Sequence, residues 1–207
     1  NVHMVTYMKT LYAKNVGRGY MKNKRLSNLM LLSNFICTLF YSMSYPYIYA
    51  ETIKVISHGY ISFEQIASCI SIVIFSILWN KYGDVIFKHY MKIVVLEIIA
   101  DAFLFGHAII TGDMQFYFVL NVLIYAIITK NMSCGGIKMR AKVNPDEKSR
   151  ERFDNNSNTV YAIATLLGTT GEIIFNFNLK TLFVLALIGG VVDNFFYIYI
   201  YNKIKSM

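Results

Sequence analysis

The sequence predicts an all-α polytopic membrane protein of six transmembrane helices, with both termini in the cytoplasm. Three observations predict it. Of 207 residues, 56% are hydrophobic and only 15% charged, where soluble domains average about 45–50% and about 25%. Six apolar runs recur, each of about the 20 residues that a helix needs to cross a hydrocarbon core. Lysine and arginine gather in alternate breaks between those runs.

The expected spans are 28–50, 61–79, 93–111, 116–136, 158–176 and 181–200. None alternates with a period of two. In lipid, runs of this length satisfy their backbone only as helices. Residues 1–27 read as a basic cytoplasmic segment, 28–200 as the membrane domain and 201–207 as a cytoplasmic tail. "MKNKRLSNLMLL", from Met21, reads as a natural start, a short basic head running into a helix.

Charge sets the orientation. Lys9, Lys14, Arg18, Lys22, Lys24 and Arg25 precede the first span. Lys81, Lys88 and Lys92 follow the second, and Lys130, Lys138, Arg140, Lys142, Lys148, Arg150 and Arg152 surround the fourth break. With Lys203 and Lys205 in the tail, eighteen basic residues fall on one side, against Lys54 and Lys180 on the other. The positive-inside rule places the eighteen in the cytoplasm. Tyr and Phe crowd span ends ("YPYIYA", "FYIYIY"), as interfacial belts do. The connector "KMRAKVNPDEKSRERFDNN" reads as a solvated loop with a turn at Asn144-Pro145.

Composition also sets limits on function. The net charge is +8, but its basic residues flank apolar runs and do not line one face, so nucleic acid is not an expected partner. Cys37, Cys69 and Cys134 lie in or beside apolar segments without metal-ligand spacing, and read as buried small hydrophobes. No HExxH, GxSxG or phosphate-binding loop occurs. No enzyme, metal or cofactor is expected. The richness in Ile, Asn, Lys, Tyr and Phe points to AT-rich coding DNA and a bacterial plasma (inner) membrane.

The break "WNKYGDVIFKH", residues 79–89, carries the most specific pattern. Glycine allows a tight turn between antiparallel helices, and the lysines hold the loop at the cytoplasmic face. Ser76, Asn80, Lys81 and Gly83 fall where the major facilitator superfamily places a small residue, an acid, a basic residue and a glycine. The chain resembles that family over residues 21–207. It departs from the pattern in three ways: an amide stands for the acid, Val85 and Ile86 hold places of trailing basic residues, and Lys88 comes late. Asp84 is a candidate to replace the missing acid. "VNPDEKSRERFDNN" before "TVYAIATLLGTTGEII" is similar to the family's junction of spans four and five.

The resemblance implies one six-helix half, a 3+3 pseudo-repeat, of a two-half transporter. The implied function is alternating-access transport of a small solute, with proton-coupled efflux as one form. The implied partners are the lipid bilayer, a second six-helix half (a second copy or a separate chain) and a small-molecule substrate. In the family, spans one and four line the cavity, which nominates Asn34, Thr38, Tyr41, Asn121 and Tyr125. The alternative role for these groups is helix–helix hydrogen bonding. Other readings of the whole chain are a six-helix substrate-capture subunit of a vitamin uptake system and a non-transporting accessory membrane protein.

Ionisable residues at membrane depth are expensive and default to functional hypotheses. Glu97 and Asp101 stand four apart on one face of span three. Either they face a water-filled cavity and carry a proton, or they pair with lysines such as Lys92 or Lys130. Glu97 and Asp193 favour pairing; Asp101 favours function, since no basic residue sits at its depth. Gly168, Gly171 and the pair Gly189-Gly190 read as close helix approaches.

Overall fold

Each expected span falls within a helix, and most of those helices extend well past it at one or both ends. The computed structural model describes the backbone of residues 2–56 and 58–206, and the side chains of 23–56 and 62–206. The helices are α1 (Val2–Val55), α2 (His58–Lys88), α3 (Tyr90–Thr111), α4 (Met114–Val143), α5 (Glu147–Phe175) and α6 (Leu179–Lys205). The proposed start at Met21, and the basic side chains ahead of it, lie outside the described side chains.

Among the described residues, five helices are long and apolar enough to cross a membrane: α2, α3, α4, α6, and α1 over Asn23–Val55. The sixth expected span lies in α5, which is 29 residues long but more polar. Asn155, Asn156, Ser157, Asn158 and Thr159 fill its first half, and Thr165, Thr169, Thr170 and Glu172 its second.

Two expected loops are corrected. Residues 79–88 continue α2 as helix, and only His89 separates it from α3. The 137–157 connector is likewise helical on both sides of a turn confined to Asn144, Pro145 and Asp146. Pro145 lacks a backbone N–H and disfavours helix in the residue before it, so the break is short and sharp. Asp146 then caps α5, accepting from the Ser149 N–H at 2.7 Å. At the other end, Gly112 leaves α3 at φ 69° and donates to the Ala108 carbonyl, the left-handed exit that glycine permits. Asp113 caps α4 through the Gln115 and Phe116 N–H groups. Asn178 does the same for α6 through Thr181.

α1 is the hub. It packs mainly on α5 and α6, while α3 packs on α6 and α2 on α4. The glycines read from sequence as close approaches do this work on α1. A Cβ on Gly168 would stand 2.6 Å from the Leu39 carbonyl oxygen, and one on Gly189 2.8 Å from the Phe40 Cβ. Small residues let helix backbones meet where lipid supplies no hydrophobic drive.

Two apolar clusters form, one toward each end of the bundle. The first holds Met30, Trp79, Phe87, Tyr90, Met139 and Tyr201. Its Tyr90 is fully buried, stacked on Phe87 and edge-on to Trp79. Tyr201 of α6 donates toward the Phe87 and Lys88 carbonyls, both at 2.9 Å. Those are carbonyls at the C-terminus of α2, which have no partner within their own helix. The second cluster holds Ile48, Leu104, Phe105, Tyr117 and Phe183. Most of the outward surface is apolar, with Ile66, Ile77, Ile99, Ile110 and Leu166 each more than half exposed. Cys69 sits on that exposed surface, contrary to the buried position expected for it; Cys37 and Cys134 are half-buried.

Candidate functional site

Between the two clusters lies a cavity of about 630 Å³. The placement repeats along the chain. On α1 the lining residues, Cys37 to Pro46, fall between Met30 and Ile48; on α3, Glu97 and Asp101 fall between Val94 and Leu104. On α6, Gly190, Asp193, Asn194 and Tyr197 fall between Ala186 and Ile200. Apolar packing at both ends thus leaves a gap at mid-length, with polar and ionisable groups set in a largely apolar wall.

Two helix irregularities shape its wall. Pro46 lies inside α1, where its ring removes a backbone hydrogen bond and bends the helix. Ser44 and Thr52 nearby donate back to the Phe40 and Ile48 carbonyls, which favours the bend. In α4, Tyr125–Thr129 form a π turn, a one-residue expansion of the kind that recurs at functional sites. Both ends of that turn, Tyr125 and Thr129, line the cavity.

Three carboxylates reach the wall. Glu97 and Asp101 are buried, at 5% and 7% exposed. The Thr129 side chain hydrogen-bonds Glu97, yet Glu97 Oε2 has no partner among the described residues, nor does Oδ1 of the buried Asn194. Buried polar atoms are nearly always paired, so these two stand out. A Cβ on Gly190 would lie 3.1 Å from Asp101 Oδ2 and 3.6 Å from the Tyr41 hydroxyl. Glycine there opens the space that both polar groups enter. Asp193 accepts a hydrogen bond from Ser33.

The expected pairing of these acids with lysines is absent. The ion pairs among the described residues are Lys54–Glu51, Lys138–Asp84 and Arg140–Asp154. Lys130 instead donates to the Tyr125 hydroxyl at 2.9 Å and lies over its ring. No Lys, Arg or His lines the cavity among the described residues.

Four of the five residues nominated as cavity-lining, Thr38, Tyr41, Asn121 and Tyr125, do line it. Asn34 does not. Ser133 and Tyr197 stand on both the main cavity and a smaller one of about 300 Å³. They partition the two, and Asn34 lies in the smaller one, donating to Ser157 at 3.2 Å.

The residues of the 79–89 pattern lie together on α2, away from the cavity. Asn80, Lys81 and Lys88 are exposed, with Lys81 over the Tyr82 ring. Ser76 hydrogen-bonds Cys134. Gly83 makes no turn. It is buried in α2, and a Cβ there would meet the Lys138 Nζ at 3.0 Å. That close approach lets Lys138 reach Asp84 at 2.8 Å, tying α4 to α2.

Sequence reasoning missed three of the tyrosines. Tyr117, Tyr161 and Tyr197 line the cavity, although the stretch holding Tyr197 read as an interfacial belt; Tyr45, which shares the helical stripe of Asn34 and Thr38, lines it as well. A signal was present on α6: Gly190, Asp193, Asn194 and Tyr197 follow helical spacing on one stripe. No family model, curated protein or solved structure matches the chain.

Proposed function

We propose that the chain moves a small solute across a membrane by alternating access, as one six-helix half of a major-facilitator-type secondary transporter coupled to protons. The observation that carries this reading is the cavity at mid-length of an apolar bundle, walled by Glu97, Asp101 and Asp193 with no basic residue among its described lining. Substrate and coupling-ion sites of such transporters lie near the bilayer midplane. Carboxylates at that depth serve as proton relays.

In this reading all six helices cross the membrane, α5 among them, its polar residues turned partly to the cavity through Tyr161, Thr165 and Thr169. Both termini face the cytoplasm. Two contacts support the shared end: Asn23 and Lys24 lie beside the Asn144-Pro145-Asp146 turn, and Tyr201 reaches the end of α2. These are the segments where the basic residues gather, as the positive-inside rule requires. Alternation needs a second half to rock against, supplied by a second copy or a separate chain.

The test is proton flux. The full chain is reconstituted in liposomes loaded with a pH-sensitive dye, and a panel of small solutes of each charge class is added. A solute-dependent proton flux that disappears in Asp101→Asn is expected. A wild-type protein that moves no protons with any solute, or an Asp101→Asn variant with unchanged flux, overturns the reading.

A further inference from the structure

We infer that the central cavity binds an organic cation, its charge held among Glu97, Asp101 and Asp193 and its apolar body packed on tyrosine rings. This rests on the transport reading and names the class of its substrate.

Charge is the first argument. Three carboxylates line one half-open cavity and no described lining residue is basic. Lys130, a cation in contact with a lining residue, is held at Tyr125, and Arg140 lies in the smaller cavity beyond Tyr197 and Ser133. A low-dielectric wall of one sign concentrates the opposite charge. An anion would meet like charge with no partner to offset it.

Unmet bonding is the second. Glu97 Oε2 and Asn194 Oδ1 are acceptors on lining residues and have no partner among the described residues. Both residues are more than nine-tenths buried. Two orphaned acceptors on facing helices call for a donor or a positive charge between them.

Shape is the third. A cavity of about 630 Å³ falls in the range of about 300–1,000 Å³ typical of sites for drug-sized ligands. Among the described residues, no three of His, Cys, Asp and Glu stand close enough to hold a metal ion. Tyr45 and Tyr161 at the exposed rim, with Tyr41 and Tyr117 deeper in, offer ring faces to an apolar cation, and such faces attract positive charge.

The experiment uses two ions of the same shape and opposite charge. Labelled tetraphenylphosphonium is dialysed to equilibrium against the full chain in nanodiscs, with empty nanodiscs as background and tetraphenylborate as competitor. Saturable binding of the phosphonium is expected, uncontested by the borate, and weakened about tenfold or more in Asp101→Asn and in Glu97→Gln, since each removes a charge contact. Equal competition by the borate overturns the inference, and that comparison needs no variant to fold. So does unchanged binding in both variants, or no saturable binding. Absence of phosphonium binding, with proton-coupled flux of another solute, sinks the cation and keeps the transporter. Binding without flux of any solute sinks the transporter and keeps the cation.

Discussion

Glycine 168 shows how one absent side chain sets a helix distance. A Cβ there would press on the Leu39 carbonyl oxygen at 2.6 Å and on Ser42 Cβ at 2.8 Å, both rigid parts of α1. At Gly171 the obstacle is the Met43 Cε, the far end of a flexible thioether that can move. Gly106 of α3 has nothing within 4 Å. Gly168→Ala should therefore force α1 away from α5 and cost roughly 1–3 kcal/mol, as overpacking does. Gly106→Ala should be neutral or raise stability by up to about 1 kcal/mol, since alanine is the better helix former. Thermal unfolding in detergent checks the pair, and equal midpoints would remove the close-packing role of Gly168. Sequence alone marked Gly168 as a packing glycine and left Gly106 unremarked. It misjudged Gly83 as a turn, because a glycine that clears room for Lys138 and one that bends a chain look alike without the neighbouring helix.

Whole elements were legible by type and not by length. Every apolar run became helix, the form that satisfies the backbone of a run placed in lipid. The helix ends lay farther out because charged residues such as Lys81, Lys88, Lys138 and Lys142 are good helix formers, and an apolarity window stops before them. The π turn at Tyr125–Thr129 left no trace that a composition reading could use. α5 offers the clearest end. Asp146 is its cap, and the Ser149 N–H that it accepts holds its carboxyl below the usual carboxylate range. A depressed folded pKa means stabilisation that is full above the unfolded value, near 3.9, and lost as pH falls through the lower folded value. Protection of the first α5 amides against hydrogen exchange, corrected for intrinsic rates, should therefore be flat near neutrality and fall below about pH 4. Asp146→Ala should show the weaker protection already at pH 7. Asp146→Asn, still an acceptor, should hold protection through the acid range. An Asp146→Ala profile overlying wild type would mean that Pro145 alone fixes the end.

At the scale of the molecule, charge asymmetry and apolar runs conveyed a bundle, while the cavity was only half visible. Thr38, Tyr41, Asn121 and Tyr125 could be nominated from spans one and four, and all line it. Asn34 follows the same stripe, yet Tyr197 and Ser133 wall it off, a partition built by helices remote in sequence. The acids could be found but not their freedom from lysine, since the reach of Lys130 depends on where Tyr125 sits. The cavity is bounded by a single chain, whereas rocking requires two halves on either side of a site. In a chain with most of its outer apolar surface free, including Phe63, Ile66, Ile70, Val73 and Ile77 along α2, lipid can cover much of that surface but cannot supply the second gate. Gentle extraction into native mass spectrometry should therefore yield a particle holding two 23.8 kDa chains, or one bound to another six-helix chain. Proton-coupled flux should track that particle across size-exclusion fractions. Flux carried by a strict monomer would mean that α1 to α6 open and close the cavity among themselves. Pro46 in α1 and the π turn of α4, both of which line the cavity, would then be the joints to examine.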